Sequence, residues 1–189
     1  MLPIIRTLRM ACRVRNRIAG CSLTPFTTDR ESLLTIHTLT EELWLPLPRE
    51  RVFAFFADAG NLDAITPPWL HFQIVSPTPI DMRPGALIDY KLRVRGVPIF
   101  WRTEIAEWNP PYQFVDRQLR GPYRQWIHTH TFEEKNGGTL IQDRVEYAVP
   151  GWFLEPLIHR FFVKRDIEKI FEHRSATIRD LLLEKSSTT

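Results

Sequence analysis

Residues 86–134 read ALIDYKLRVRGVPIFWRTEIAEWNPPYQFVDRQLRGPYRQWIHTHTFEE, and apolar and polar side chains alternate through four successive runs of this stretch. A period of two places neighbouring side chains on opposite faces of a strand, so each run predicts a half-buried strand. The runs Ala86 to Arg95, Val97 to Trp108, Tyr112 to Arg120 and Tyr123 to Glu134 are separated by Gly96, Asn109-Pro110-Pro111 and Gly121-Pro122. Connections this short join antiparallel neighbours. Upstream, His71 to Ser76 has strand composition and precedes the turn residues Asp81 to Gly85; downstream, Asn136-Gly137-Gly138 leads into Thr139 to Val149. With a first strand within Leu33 to Leu45, the pattern predicts a curved antiparallel sheet of six or seven strands.

Helical signals flank this meander. Pro46 and Pro48 end the first strand, and a short helix is expected from Pro48 to Ala57 with Val52, Phe53 and Phe56 on one face. A second short helical piece is expected from Asn61 to Ile65, before Pro67-Pro68. After Pro150-Gly151 the apolar residues Leu154, Leu157, Ile158, Phe161, Phe162, Ile167, Ile170, Phe171, Ile178, Leu181 and Leu182 recur at helical spacing. They predict one long terminal helix to about Glu184, broken near Pro156. The fold class is therefore α+β.

The words PRERVFAFF (48–56), DAGNLDAITPPWL (58–70) and GGTLIQDRVEYAVPG (137–151), together with the meander, resemble the START-like or Bet v 1-like (SRPBCC) superfamily, in its bacterial polyketide cyclase/dehydrase-like branch. The resemblance covers about residues 33–185. It implies a helix-grip fold, in which the sheet wraps the terminal helix, and a pocket for a hydrophobic small molecule or lipid. It implies no single chemistry, because the fold serves carriers, cyclases and regulators alike. In some relatives of this branch an epimerase-like domain follows.

Charge is unevenly spread. The chain of 189 residues carries a formal +3, but residues 1–28 hold Arg6, Arg9, Arg13, Arg15 and Arg17 with no acid, and residues 29–189 hold 20 basic against 22 acidic side chains. A phosphate-binding surface needs clustered cations, so no nucleic-acid partner is expected of the body. Cys12 and Cys21 both lie in the leader, which leaves the body without a disulfide or a Cys-based zinc site. The expected organisation is a basic extension at 1–32 and a START-like ligand-binding domain at 33–186. A cytoplasmic location is expected, with organelle targeting through residues 1–28 as the alternative.

Strand parity selects what faces the helix. Ile88, Tyr90, Leu92 and Val94 point inward, as do Ile99, Trp101, Thr103 and Ile105, and Ile141, Asp143, Val145 and Tyr147. The charged residues opposite them are expected to form solvated cross-strand pairs. Trp126, His128, His130 and Phe132 share one face, so two imidazoles and the Asp143 carboxylate meet inside. The Tyr112 to Arg120 strand is ambiguous, burying either Phe114, Asp116 and Gln118 or Val115, Arg117 and Leu119.

Three accounts compete for the polar cluster: a structural hydrogen-bond network, ligand orientation, or acid–base catalysis by His128, His130 and Asp143. No metal and no cofactor is expected, and whether the protein is an enzyme is left open. The sequence has no Gly-rich phosphate loop, GxSxG, HExxH or CxxC. Tyr90, Trp101, Trp126, Tyr147, Phe161 and Phe162, with the two histidines, are the expected ligand contacts; the same aromatics would otherwise fill a core. Residues 152–163 are apolar on more than one face and flanked by His159, Arg160, Lys164 and Arg165, which suits transient membrane-surface contact or a protein partner without a small ligand.

Overall fold

The computed structural model describes residues 34–184. The basic leader, its two cysteines and both expected domain boundaries lie outside these residues.

The chain runs β1 (His37–Leu45), α1 (Arg49–Ala57), α2 (Asn61–Ile65), a 3-10 turn (Pro68–Leu70), β2 (Gln73–Ile74), β3 (Leu87–Val94), β4 (Val97–Asn109), β5 (Gln113–Arg120), β6 (Gln125–Lys135) and β7 (Gly138–Ala148). It closes with a 3-10 turn (Trp152–Leu154), α3 (Glu155–Ile158), a π-helical turn (His159–Val163) and α4 (Lys164–Glu184). The seven strands form one antiparallel sheet in the order β1-β7-β6-β5-β4-β3-β2, so the first strand pairs with the last.

Local chemistry explains the tight connections. Arg95 and Gly96 both have positive φ, as do Asn136 and Gly137. Two successive left-handed residues make the two-residue hairpin turn whose twist matches the flanking strands. The turns pair Val94 with Val97 and Lys135 with Gly138. In β4 the register against β5 shifts between Arg102 and Thr103 and again between Ile105 and Glu107. Such bulges bend a strand and increase its twist, curving the sheet toward α4. The expected outward pairs form: Arg102 grips Asp89 through two bonds of 2.7 Å, and Arg117 donates to Glu104 at 2.7 Å.

The core lies between the concave face and the helices. Leu43, Leu45, Val52, Phe53, Phe132, Ile141, Ile178 and Leu182 join β1, α1, β6, β7 and the end of α4, while Val145, Tyr147, Val149, Ile167 and Phe171 hold its beginning. Full burial of each such large side chain contributes roughly 1.5–3 kcal/mol.

Some expectations need correction. The first strand begins at His37, and the His71 to Ser76 segment contributes only two paired residues. In α1 it is Phe55 that is buried with Val52 and Phe53, while Phe56 is half-buried. The terminal helix is not broken at Pro156, which occupies the first turn of α3 where its missing N–H is harmless. Its irregularity is the π turn three residues later. No helix among the described residues is long and apolar enough to cross a membrane.

Candidate functional site

Between the sheet and α4 lies a cavity of about 180 Å³. Its walls come from inward positions of β3 to β6, from α1 and α2, and from Ile167, Ile170, Phe171 and Arg174 of α4. Tyr90, Trp101, Tyr123 and Trp126 form one aromatic wall: Tyr90 and Trp101 stack at 5.8 Å, and Trp101 meets Trp126 edge-on at 5.4 Å. Burial raises the Tyr90 and Tyr123 hydroxyls well above the ordinary tyrosine range, so both stay protonated. The Tyr90 hydroxyl pairs with Thr103 at 3.2 Å.

A polar wall faces the same space. β5 resolves its ambiguity by turning Phe114, Asp116 and Gln118 inward, with Phe114 buried and Arg117 and Leu119 exposed. Register then sets Asp116 opposite His128, and Asp143 of β7 opposite His130. His128 and His130 are each 3% exposed, and their ring centroids are 3.7 Å apart. His130 Nε2 donates to Asp116 at 3.1 Å, and His128 Nε2 donates to Asp143 at 3.2 Å. His130 Nδ1 approaches Asp143 to 2.6 Å, off line for a good hydrogen bond but close enough for the charge to act. His128 Nδ1 stands 3.6 Å from Asp116. Each carboxylate therefore sits against both rings.

Two imidazoles this close do not both hold a proton easily. Burial would lower the pKa of His130, but the Asp143 charge and the bonds to both aspartates outweigh it and raise the pKa above the ordinary value. At His128 burial and the positive charge on its neighbour prevail, and the pKa falls. Burial pushes both carboxyls up, yet the imidazoles over-compensate: Asp116 is held below its usual range and Asp143 well below it. One shared proton thus resides on His130. An imidazolium donor and a neutral imidazole then stand side by side in the cavity wall.

The expected site residues are only partly brought together. Tyr90, Trp101, Trp126, His128 and His130 line the cavity, whereas Asp143 lies behind the two histidines. Tyr147 does not reach the cavity: its ring packs among Val145, Val149, Ile167 and Phe171, and its hydroxyl pairs with His159 at 2.9 Å. Burial lifts that hydroxyl to about 12. Phe161 and Phe162 also lie outside it, 56% and 50% exposed, because the π turn carries them to the outer side of the helix. Asp116 and Arg174 are the site residues that parity left unassigned or missed. Arg174 carried a signal, since it falls three residues after Phe171 and four before Ile178, inside the apolar stripe.

Two donor sets are compact enough to consider for a cation, Asp116-His128-His130 and His37-Glu155-His159, each within 4.8 Å. In the first, the carboxylate–imidazole contacts already engage the atoms. In the second, the rings of His37 and His159 stack at 3.4 Å and 9°, so their nitrogen lone pairs run parallel and do not converge on one point. His37 Nε2 instead donates to Glu155 at 2.6 Å, tying β1 to α3.

No curated protein matches the sequence. Among solved structures, Ara h 8.0201 superposes with a TM-score of 0.56 at 16% identity, over 79% of this chain and 99% of its own. The di-domain ARO/CYC StfQ from the steffimycin biosynthetic pathway gives 0.62 at 12% identity, over 80% of this chain and 52% of its own. A nucleoside-diphosphate sugar epimerase from Corynebacterium glutamicum gives 0.58 at 24% identity, over 79% of this chain and 30% of that larger one. At these identities the likeness is one of fold, and it is the Bet v 1-like helix grip that the meander and terminal helix predict. Residues 45–173 match the family described as polyketide cyclase / dehydrase and lipid transport, and the chain belongs to that family.

Proposed function

We propose that the protein binds a hydrophobic or aromatic small molecule, or a lipid tail, in the cavity between the sheet and α4. The supporting observation is the cavity itself: a predominantly apolar, aromatic-walled space with a few fixed polar groups on one side, which is how small-molecule sites combine affinity with orientation. Native mass spectrometry of the protein purified from its own source, followed by solvent extraction, tests this. One equivalent of an apolar molecule is expected. An empty protein whose unfolding temperature is unmoved by a library of lipids, quinones and aromatic acids contradicts it.

The apolar surface at the start of the terminal helix supports a membrane as the source of such a ligand. Trp152 and Phe153 are 85% and 77% exposed, and Leu154, Leu157, Phe161 and Phe162 are exposed beside them. Arg160 and Arg165 on the same segment have no carboxylate partner among the described residues. Exposed aromatics beside unpaired cations suit an anionic bilayer. Trp152→Ala with Phe153→Ala should reduce sedimentation with phosphatidylserine vesicles at least fivefold. Undiminished sedimentation, or a stable dimer through this face, contradicts the assignment.

A second reading, acid–base chemistry on the bound molecule, is favoured by the paired histidines, whose pKa values are pushed in opposite directions within one wall. His130 as the imidazolium would give a proton while neutral His128 takes one, as an aldol-type cyclisation or dehydration requires. Under this reading, His128→Gln and His130→Gln remove turnover of the extracted molecule and leave its affinity within about tenfold. Full turnover in both variants rejects it.

A further inference from the structure

The cavity contains two donors without acceptors. Trp101, 7% exposed, has no hydrogen-bond partner for its buried indole Nε1, and the buried Nε of Arg174 has none either. Indole and guanidinium nitrogens only donate, so neither demand can be met by rotating a hydroxyl nearby. Arg174 also lacks any carboxylate within ion-pair distance among the described residues, and its one close partner is the Phe171 ring at 5.3 Å. A guanidinium stays charged at every accessible pH, and an unpaired one against an apolar wall is costly.

The other charges in the cavity are already matched. Asp116 and Asp143 are engaged by the two imidazoles, which leaves Arg174 as the uncompensated cation. Its position is shared with Trp101: Arg174 acts electrostatically on Tyr90, and the Tyr90 ring stacks on Trp101. Both donors line the same cavity as Phe72, Leu92 and Ile170.

We propose that the ligand is an apolar acid, with its carboxylate accepting hydrogen bonds from Arg174 Nε and Trp101 Nε1 and its apolar body in the aromatic part of the cavity. This rests on the cavity reading above and adds the chemical class of the occupant. A fatty acid and an aromatic acid share this chemistry, and chain length would separate them.

Three probes of one shape test it: 2-methylnaphthalene without an acceptor, 2-acetylnaphthalene with a neutral one, and 2-naphthoate with a charged one. Binding is read by calorimetry and tryptophan quenching at pH 7.5. The protein should bind naphthoate at least tenfold more tightly than methylnaphthalene, with acetylnaphthalene between. Arg174→Met should abolish this preference while methylnaphthalene affinity stays within about twofold, and Arg174→Lys should restore part of it. Trp101→Phe, which keeps an aromatic ring and removes the N–H, should weaken naphthoate several-fold more than methylnaphthalene. Octanoate in place of naphthoate distinguishes a fatty from an aromatic acid. Binding of methylnaphthalene without a preference for naphthoate, or a preference that survives Arg174→Met, overturns this inference alone. Failure of all three probes to bind overturns the cavity reading and the inference with it.

Discussion

Asp143→Leu is expected to destabilise the protein by about 3–5 kcal/mol near neutral pH, the usual cost of removing one partner from a buried charge cluster. Asp143 touches both imidazoles, at 3.2 Å and 2.6 Å, with only 12% of its side chain exposed. The pH dependence should change with it. A carboxyl held below its usual pKa stabilises the fold above about pH 4 and loses that contribution as pH falls through the lower folded value. His130 acts at the other limb: its raised pKa adds stability that is complete below about pH 6.5 and is lost as pH rises through the folded value. His128, with a lowered pKa, opposes folding once the pH drops below about 6.5. The parent protein should therefore be most stable between the acid and alkaline limbs. The leucine variant should show a flatter profile at both ends, because the depressed carboxyl is gone and His130 has lost its largest favourable charge. Chemical denaturation across pH 3 to 9 measures both effects. An unfolding free energy within 1 kcal/mol of the parent, with an unchanged profile, would show that the cluster is not the coupled unit described.

Phe132→Ala should be comparably severe, by about 3–5 kcal/mol, for a different reason. Phe132 is 2% exposed, and its ring lies 5.2 Å from Phe53, 5.1 Å from Phe56 and 6.1 Å from Phe114. It is the contact through which β6 holds α1 against the sheet. Removing the ring costs its transfer energy and leaves a void that α1 cannot fill without moving. Because Phe56 of α1 also lines the cavity, the ligand site should loosen as stability falls. The midpoint of urea unfolding should drop with little change in slope, and a shift worth less than 1 kcal/mol would mean that α1 is held elsewhere.

The sheet was legible because its periodicity is local. Alternation from Ile88 to Val94 and from Trp126 to Phe132, punctuated by Gly96, Gly121-Pro122 and Asn136-Gly137, predicts both the strands and their inward faces. The pairing of the two histidines with a carboxylate followed from the same parity. Asp116 could not be assigned that way, because Tyr112 to Arg120 carries an apolar and a charged residue on either face. Its side is decided by two bulges in the neighbouring strand and by pairing with His128, which are tertiary facts. Phe161 and Phe162 failed as cavity residues because regular helical spacing was assumed across a π turn, and that turn rotates the face presented to the sheet. Tyr147 had the correct parity but lies too far along β7, where the beginning of α4 closes over it. Arg174 was readable in principle as a lone cation in an apolar stripe.

The account rests most heavily on the space between the sheet and α4 as the place where a ligand sits. A crystal structure of the protein with the molecule extracted from it, or with 2-naphthoate, tests this directly. The predicted result is density for one molecule in contact with Trp101, Trp126 and His128, its acidic group at Arg174. Density confined to the outer face around Trp152 and Phe153, with the cavity walls closed onto one another, would contradict it.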